Sequence, residues 1–500
     1  MSKRQLTKWF LGPLFFLLLL VTPPLPFIEV AAKEVGAVSL KAPQIALGVL
    51  IWIATWWVFE LIPLGLTGLL AATLISLLGY ISWSEALRSF ADPIIWVFMS
   101  GFTLAKAFRV WGLDKRVALR VARIYKGEKP MLAALFIACL PVFLLTVTGS
   151  ITASTSVVYP IVLSYIEMLK LSPSFAEATM LSLGEAATAG AMLFLISTPP
   201  NLVAKQVLEQ YTPNFKLTFF DWLLIGTPQA VIGLIVSWII VFKVVKVEEK
   251  RVSKASEVIE REVSVLDKMG IEEKMVLLVF LVTLFLWLIP GILSIAASLE
   301  PSLSQMATSA SRLLPEAAPA ALAIVLLGLL RSRKRPLLTF EEIASGIDWN
   351  VIFLFGGGIA MGKALDTSGF SKWLALIVIN TGIELNPFSL SVIGALVGFA
   401  VTFPASNTAS AMVSVPLVAS IAKGAGLNPT SPIIVTALAC SISSAIPSTT
   451  PPMAIIYGSK KVDVKNMFKA GIISDVLRLA ILALTEPYLV NLLLRLKGLS

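Results

Sequence analysis

Polar residues interrupt two of the most apolar parts of this chain, and their types are those that bind ions. Residues 404–417 read PASNTASAMVSVPL, in which Ser406, Asn407 and Thr408 are consecutive. An earlier apolar stretch carries Ser150 and Thr152 in a similar setting. Hydroxyl and amide groups both donate and accept hydrogen bonds, and burying them without a partner is costly. The sequence therefore predicts a bound partner, or internal hydrogen bonds, at both places.

Each polar stretch is followed along the chain by a pair of prolines, in STPPN (197–201) and TTPPM (449–453). Proline lacks an N–H group and clashes with the preceding turn, so a helix is expected to break there. Half-helices that start at a break direct a partial positive charge at the gap, which suits an anion. Free carbonyls beside Ser, Thr and Asn oxygens suit Na⁺. For any single residue, a hydrogen bond to the preceding helical turn or close helix packing is an equally good explanation.

The apolar content is that of a membrane protein. Of the 500 residues, 57% are hydrophobic and 14% are charged, which is more apolar material than a soluble domain carries. The sequence predicts an all-α polytopic membrane protein with about 11 transmembrane helices plus two re-entrant helical hairpins, at 130–166 and 386–421. The predicted spans lie near 9–22, 43–61, 63–81, 94–109, 176–204, 219–243, 275–296, 316–330, 350–367, 432–457 and 470–493.

The distribution of positive charge predicts the orientation of the chain. The net charge is +10, but most Lys and Arg residues fall in loops on one side of the predicted topology, so topology explains the charge without a nucleic-acid partner. We expect a multi-pass protein in the lipid bilayer of the plasma membrane, with the N-terminus cytoplasmic and the C-terminus outside. Residues 1–32 are interpreted as a retained helix, although a cleaved signal peptide that ends near VAA (30–32) stays open.

Segments of the first half recur in the second at offsets of 252 to 257 residues. SGFTLAKAFRVWGLDK (100–115) aligns with GGGIAMGKALDTSGFSK (356–372), TVTGSITASTSVVYP (146–160) with TFPASNTASAMVSVP (402–416), and STPPN with TTPPM. These matches predict an N-terminal helix and external loop at 1–42, a first repeat at 43–245, a charged cytoplasmic loop with an interfacial helix at 246–274, and a second repeat at 275–493. Each repeat contains one hairpin and one broken helix, the latter at 176–204 and 432–457.

The two repeats are expected to face opposite ways. Four predicted spans separate the helix at 94–109 from its copy at 350–367, and a re-entrant hairpin adds no crossing. Inverted repeats with a site near the middle of the membrane are typical of secondary transporters.

The paired hairpin turns, the Thr-Pro-Pro breaks, FELIPLGLTGLL (59–70) and the Gly-rich helix before each hairpin resemble the divalent anion/sodium symporters, the family of sodium-coupled dicarboxylate, citrate and sulfate carriers. The resemblance covers about residues 43–490. It implies a homodimeric, elevator-type transporter of a small anion with sodium as the coupling ion and no other cofactor, and the anion that we expect is a C4 dicarboxylate. The substrate-binding residues that it implies are Ser150, Thr152, Thr198, Ser406, Asn407, Thr408 and Thr450.

The resemblance also implies ligands for sodium, and here the first repeat departs from the family pattern. In the second repeat the implied ligands are Thr402, Ala405, Asn407 and Thr449, and in the first they are Thr146, Ser150 and Ser197. The family usually has Asn in the middle of the first turn, where this chain has Ile151. Because an Ile side chain cannot bind Na⁺ or donate to a carboxylate, either the first sodium site is altered or missing, or the anion is smaller or bound asymmetrically.

Glu185 is an acid within a predicted span, and such residues are by default functional candidates. It is interpreted either as a coupling acid or as a residue that reaches water or a basic partner near the cytoplasmic end. Asp475 and Arg478, three residues apart on the last span, are expected to pair. The alternative to sodium symport is proton-coupled or exchange-type carriage of sulfate, citrate or another dicarboxylate. A membrane-embedded enzyme is disfavoured because the chain has no His and no nucleophile motif.

Overall fold

Helices make up nearly all of the regular structure in the computed structural model, which describes residues 3–212, 215–253, 255–332, 335–380 and 385–499. Before the first hairpin the helices are α1 Lys3–Val21, α2 Ile28–Val35, α3 Ala42–Val58, α4 Leu64–Leu77, α5 Trp83–Arg88, α6 Pro93–Trp111 and α7 Leu113–Ala122, with a 3₁₀ turn at Ser89–Ala91. α6 begins where Asp92 Oδ1 accepts a hydrogen bond from the Ile94 amide at 3.0 Å. It ends at Gly112, whose φ of 71° favours glycine.

The first hairpin consists of an interrupted helical segment and a second helix that returns from the turn. The first segment contains α8 Pro130–Ala134, a π-helical turn at Leu135–Cys139, α9 Leu140–Leu145 and a 3₁₀ turn at Thr146–Thr148. The returning helix is α10 Ile151–Met168. The chain reverses at Gly149, whose φ is 92°. A Cβ atom there would lie 3.2 Å from the Cα of Gly101, so glycine allows the turn to pack directly on α6. The broken helix follows as α11 Pro173–Gly190 and α12 Pro199–Tyr211.

The middle of the chain connects the two predicted repeats. Its elements are α13 Phe219–Val245, α14 Ala255–Ser264, α15 Ile271–Leu299, a 3₁₀ turn at Pro301–Leu303, α16 Ser304–Leu313, α17 Ala317–Leu329, the antiparallel strands β1 Arg331–Ser332 and β2 Arg335–Pro336, α18 Phe340–Gly346, α19 Trp349–Thr367 and α20 Phe370–Asn380. α14 is a helix within the charged loop predicted at 246–274. Its Glu260 accepts a hydrogen bond from Arg123 at 2.8 Å, which lowers the pKa of this exposed carboxyl.

The second hairpin and second broken helix complete the chain. The elements are α21 Pro387–Thr402, α22 Asn407–Gly424, α23 Thr430–Ala439, α24 Pro451–Gly458 and α25 Val464–Leu496. Residues 440–450 separate α23 from α24, as residues 191–198 separate α11 from α12. Both prolines of each pair therefore begin the half-helix that follows a break, where their missing N–H groups cost no intrahelical hydrogen bond.

The number of long apolar helices is smaller than the sequence predicted. Five helices in the described part of the chain are long and apolar enough to cross a membrane, or seven if each of two bent pairs is counted as one span. About 11 spans were expected. Two of the five are the arms of the first hairpin, Pro130–Thr148 and Ile151–Met168. The apolar helices Thr7–Val21, α3 and α4 are each shorter than 18 residues, and the predicted spans 176–204 and 432–457 are divided at their breaks.

Segments that match in sequence also match in structure. Both Gly-rich helices, α6 and α19, start at an Asp cap, and both hairpin turns are followed by a helix whose first cap is a Ser. The packing is reciprocal, since α4 lies on α19 and α17 lies on α6. The division into repeats and their opposite orientation stay predictions.

Candidate functional site

A cavity of about 280 Å³ lies where the two hairpin turns and the two helix breaks meet. The N-terminal ends of four helices face it, because the caps of α10, α12, α22 and α24 all line its wall. These caps are Ser150, Thr198, Ser406 and Thr450. The aligned dipoles of the four helices each place a partial positive charge at the cavity. No Lys or Arg is among the described residues that line it.

The four helix ends differ in the hydrogen-bond donors that they offer. α12 and α24 each begin with two prolines, so their first two residues have no N–H group. α10 and α22 begin with Ile151 and Asn407, whose amides have no acceptor within their own helices. Backbone donors for an anion therefore come mainly from the two hairpin turns.

The second turn brings three oxygen atoms together directly behind the cavity wall. Thr402 Oγ1 lies 2.8 Å from Asn407 Oδ1 and 2.8 Å from the carbonyl oxygen of Cys440, which is the first residue of the second break. The backbone amide of Ala405 donates to the carbonyl of Thr402 at 3.1 Å, closing the turn. Uncharged oxygens from a hairpin and from a helix break are suitable ligands for Na⁺.

The first turn repeats this arrangement with one difference. Thr146 Oγ1 lies 3.0 Å from the carbonyl oxygen of Gly190, the last residue before the first break, much as Thr402 Oγ1 contacts the carbonyl oxygen of Cys440 at the second break. Its other partner is the carbonyl of Phe143 at 2.7 Å. Ile151 occupies the position that corresponds to Asn407, and it presents a methyl-bearing side chain to the cavity. The first turn therefore offers one side-chain oxygen fewer.

The hydroxyls at the breaks are differently engaged. Ser197 Oγ accepts from the amide of Phe194 at 3.2 Å, and Thr449 Oγ1 donates to the carbonyl of Ile446 at 2.8 Å. Thr450 Oγ1 is buried and has no hydrogen-bond partner among the described atoms. Since a buried hydroxyl without a partner is costly, Thr450 is a strong candidate for contact with a ligand.

The structure brings most of the predicted site residues to one cavity. All seven predicted substrate-binding residues line it, namely Ser150, Thr152, Thr198, Ser406, Asn407, Thr408 and Thr450. Ser197 and Thr449 of the predicted sodium ligands line it as well. Thr146, Thr402 and Ala405 do not; they are buried behind the turns. Which of these residues bind anion or sodium stays a prediction.

Sequence reasoning missed the wall that faces the turns. This side of the cavity is lined by Leu64 of α4, by Phe98 and Phe102 of α6, and by four residues at the start of α19. These four are Asp348, Asn350, Val351 and Leu354. The Gly-rich helices were recognised in the sequence, but nothing in their pattern identified the side chains that face the cavity. The Asp-capped start of α19 was a usable signal, because α6 starts in the same way.

Glu185 lies outside the cavity, in a buried cluster beside the second break. Ser444 Oγ lies 2.9 Å from Glu185 Oε1 and 2.7 Å from Asp475 Oδ1, and the Ser444 amide donates to Asp475 Oδ2 at 2.8 Å. Arg478 Nη1 is 3.7 Å from Glu185 Oε2 and 4.0 Å from Asp475 Oδ1. The expected pair of Asp475 and Arg478 is therefore part of a larger cluster that includes Glu185. Glu185 is 1% exposed. The sequence allowed Glu185 to be a coupling acid or a residue that reaches water or a basic partner. The structure shows that it has a basic partner, Arg478, and that it does not line the cavity.

Comparison with known proteins gives one family and several relatives. Residues 34–495 match the family described as the sodium:sulfate symporter transmembrane region. The sodium-dependent dicarboxylate transporter SdcS of Staphylococcus saprophyticus is 29% identical over 97% of this chain and 91% of its own length. SdcS of Staphylococcus aureus strain USA300 is 28% identical over 99% and 92%. The solved YdaH transporter of Alcanivorax borkumensis overlaps 82% of this chain and 88% of its own, at 12% identity and a TM-score of 0.48.

Proposed function

Because this chain belongs to the sodium:sulfate symporter family, we propose that it is a secondary active transporter that moves a divalent anion across the membrane together with sodium. The anion that we propose is a C4 dicarboxylate, since the two staphylococcal relatives are named sodium-dependent dicarboxylate transporters. The observation that carries the proposal is the convergence of four helix N-termini on one cavity whose described lining contains no Lys or Arg.

In this proposal the anion is held by the hairpin turns and the break hydroxyls. One carboxylate accepts from the amides at the start of α22 and from Ser406 and Thr408, and the other accepts from the start of α10 and from Thr152. The hydroxyls of Thr198 and Thr450 donate from the two breaks. These groups favour a small oxyanion without distinguishing carboxylate from sulfate, so the choice of dicarboxylate rests on the relatives.

Sodium is proposed to bind behind the anion and to supply the positive charge that the cavity lacks. At the second turn the proposed ligands are oxygens of Thr402, Ala405, Asn407 and Thr449. A hydroxyl that donates one hydrogen bond keeps lone pairs for a cation, so the Thr402 contacts are compatible with a ligand role. At the first turn the proposed ligands are Thr146, Ser150 and Ser197. Since Ile151 contributes none, we propose that the second turn holds sodium more tightly.

The proposed cycle exposes the site to each side of the plasma membrane in turn. The hairpins and broken helices move together against the remaining helices within a homodimer, as an elevator. The N-terminus is proposed to be cytoplasmic, with residues 1–32 retained, and the C-terminus to be outside.

Uptake of labelled succinate into proteoliposomes tests the proposal. Three conditions are compared: an inward Na⁺ gradient, a matched K⁺ gradient, and K⁺ with an inward proton gradient. We expect accumulation only with Na⁺. Vesicles with Asn407→Ala protein are the matched control, because that variant removes a proposed ligand of both ions.

Each other outcome has a definite meaning. Accumulation with protons alone would contradict sodium coupling and favour the alternative of a proton-coupled carrier. Succinate uptake that requires only preloaded internal succinate would indicate exchange. If sulfate or citrate is accumulated with Na⁺ and succinate is not, the symporter proposal stands and the C4 assignment is wrong.

A further inference from the structure

A second cavity, of about 470 Å³, adjoins the central one and is here called the vestibule. The two cavities share five lining residues, Phe102, Ser150, Thr152, Asp348 and Pro451. The vestibule alone is lined by two basic residues on α6, Lys106 and Arg109. It is therefore a continuous approach to the central cavity, and it contains the cations that the central cavity lacks.

Lys106 and Arg109 are the two basic residues among the described residues that line the vestibule. They are three residues apart and so lie on the same side of α6. Lys106 is half-buried and Arg109 is exposed, and neither forms an ion pair with any carboxylate in the described ranges. The acids nearest to them in charge are Glu342, which Arg335 contacts at 2.7 and 2.8 Å and which also interacts electrostatically with Lys106, and Asp114, which interacts electrostatically with Arg109.

The position of Lys106 is fixed by the packing of its stem. A Cβ atom added to Gly346 would lie 3.0 Å from the Cβ of Lys106, so the stem lies directly against α18. The acid on this wall is Asp348, whose Oδ1 accepts from the amides of Asn350 and Val351 at 3.0 and 3.4 Å. Its charge is thus partly offset by the N-terminus of α19, and the two cations of the described vestibule lining outnumber this one acid.

We propose that Lys106 and Arg109 form a second anion subsite, which captures the dianion in the vestibule before it reaches the helix ends. The inference rests on the proposed function, since it names an additional subsite for the same substrate. Cations that line a cleft concentrate an oppositely charged ligand and raise its rate of association, and they do so less at high ionic strength. The subsite favours dianions over monoanions because the attraction scales with ligand charge.

Binding of labelled succinate to the purified full-length protein in detergent, at saturating Na⁺ and varied choline chloride, tests this subsite. Detergent makes both faces accessible, so the test does not depend on orientation. The variants are Lys106→Gln, Lys106→Arg and the double variant Lys106→Gln with Arg109→Gln. The control is Lys372→Gln, which removes one positive charge from an exposed ion pair with Glu34.

We expect Lys106→Gln to weaken succinate binding roughly threefold to tenfold at low salt, and the double variant to weaken it further. Both variants should make succinate binding less dependent on salt. Lys106→Arg should restore the wild-type affinity and salt dependence, and Lys372→Gln should change neither of these two quantities. Half-saturation by Na⁺ and the melting temperature should stay at wild-type values, which a merely structural role would not predict.

Two outcomes would overturn the inference, and they differ in what they say of the proposed function. Wild-type binding with unchanged affinity and salt dependence in the double variant removes the subsite alone. Absence of sodium-dependent binding of succinate, citrate and sulfate to the wild type removes the proposed function, and the subsite with it.

Discussion

Arg478→Met is expected to destabilise the protein far more than Glu185→Gln does. Arg478 is 3.7 and 4.0 Å from two buried carboxylates, and removing one partner of a buried ion pair costs about 3–5 kcal/mol. The amide variant removes much less. Ser444 Oγ is within 2.9 Å of oxygens of both Glu185 and Asp475, yet a hydroxyl has one proton to donate. We therefore expect the two acids to share one proton, so that Glu185→Gln leaves Asp475 as the partner of Arg478 and costs about 1 kcal/mol or less.

The assay uses the two cysteines of the chain. Cys139 and Cys440 are both free and fully buried, so a thiol-reactive fluorophore reports their exposure as the detergent-purified protein is heated. At a fixed heating rate, Arg478→Met should melt well below the wild type and Glu185→Gln close to it. Arg312→Met, which changes an exposed arginine, is the matched control. If Glu185→Gln melts as low as Arg478→Met, both carboxylates are ionised and the proton count at Ser444 is wrong.

Three further variants address the central cavity. Asn407→Ala should abolish succinate transport and sodium dependence together, because one side chain serves both proposed sites. The control Asn386→Ala, which removes a helix cap at the far end of the same hairpin, should keep transport. Full uptake by the Asn407 variant would exclude the second-turn site. Ile151→Asn should steepen the dependence of uptake on Na⁺ by supplying the missing amide, whereas an identical sodium titration would mean that this position is a bystander. Thr450→Val should weaken succinate binding about tenfold to a hundredfold, by loss of one hydrogen bond to a charged ligand. Thr436→Val, which loses only a bond to its own helix, is the control, and equal binding affinities in the two variants would contradict ligand contact by Thr450.

The hairpin turns and helix breaks were predictable because their signals are local. Paired prolines cannot continue a helix, and Ser150 and Ser406 precede apolar helical runs as caps do. The internal repeat then doubled each signal. The seven residues that the family resemblance placed on the substrate lie at these turns and breaks, and all seven line the cavity in the structure.

Other parts of the site were not predictable because they depend on contacts between distant segments. Asp348 and Leu354 reach the first hairpin turn from about 200 residues away in sequence, through the packing of α19 on α4. Glu185 meets Ser444 across 259 residues, and no pattern around either position indicates the other. The number of spans stays a prediction, since hydropathy does not show where a chain bends and length and composition alone give five to seven candidates in the described part of the chain.

The placement of the cations has a consequence for coupling. A Lys or Arg in the central cavity would neutralise the anion permanently, and the anion would then bind without sodium. Helix ends carry only partial charges, so a dianion held by them is under-compensated until a mobile cation joins it. Lys106 and Arg109 lie one cavity away, where, in the proposed function, they would attract the anion without replacing sodium at the turns. If the proposed function holds, a vestibule with fixed cations beside a cavity without them is the arrangement expected to allow fast capture and still make sodium necessary for tight binding.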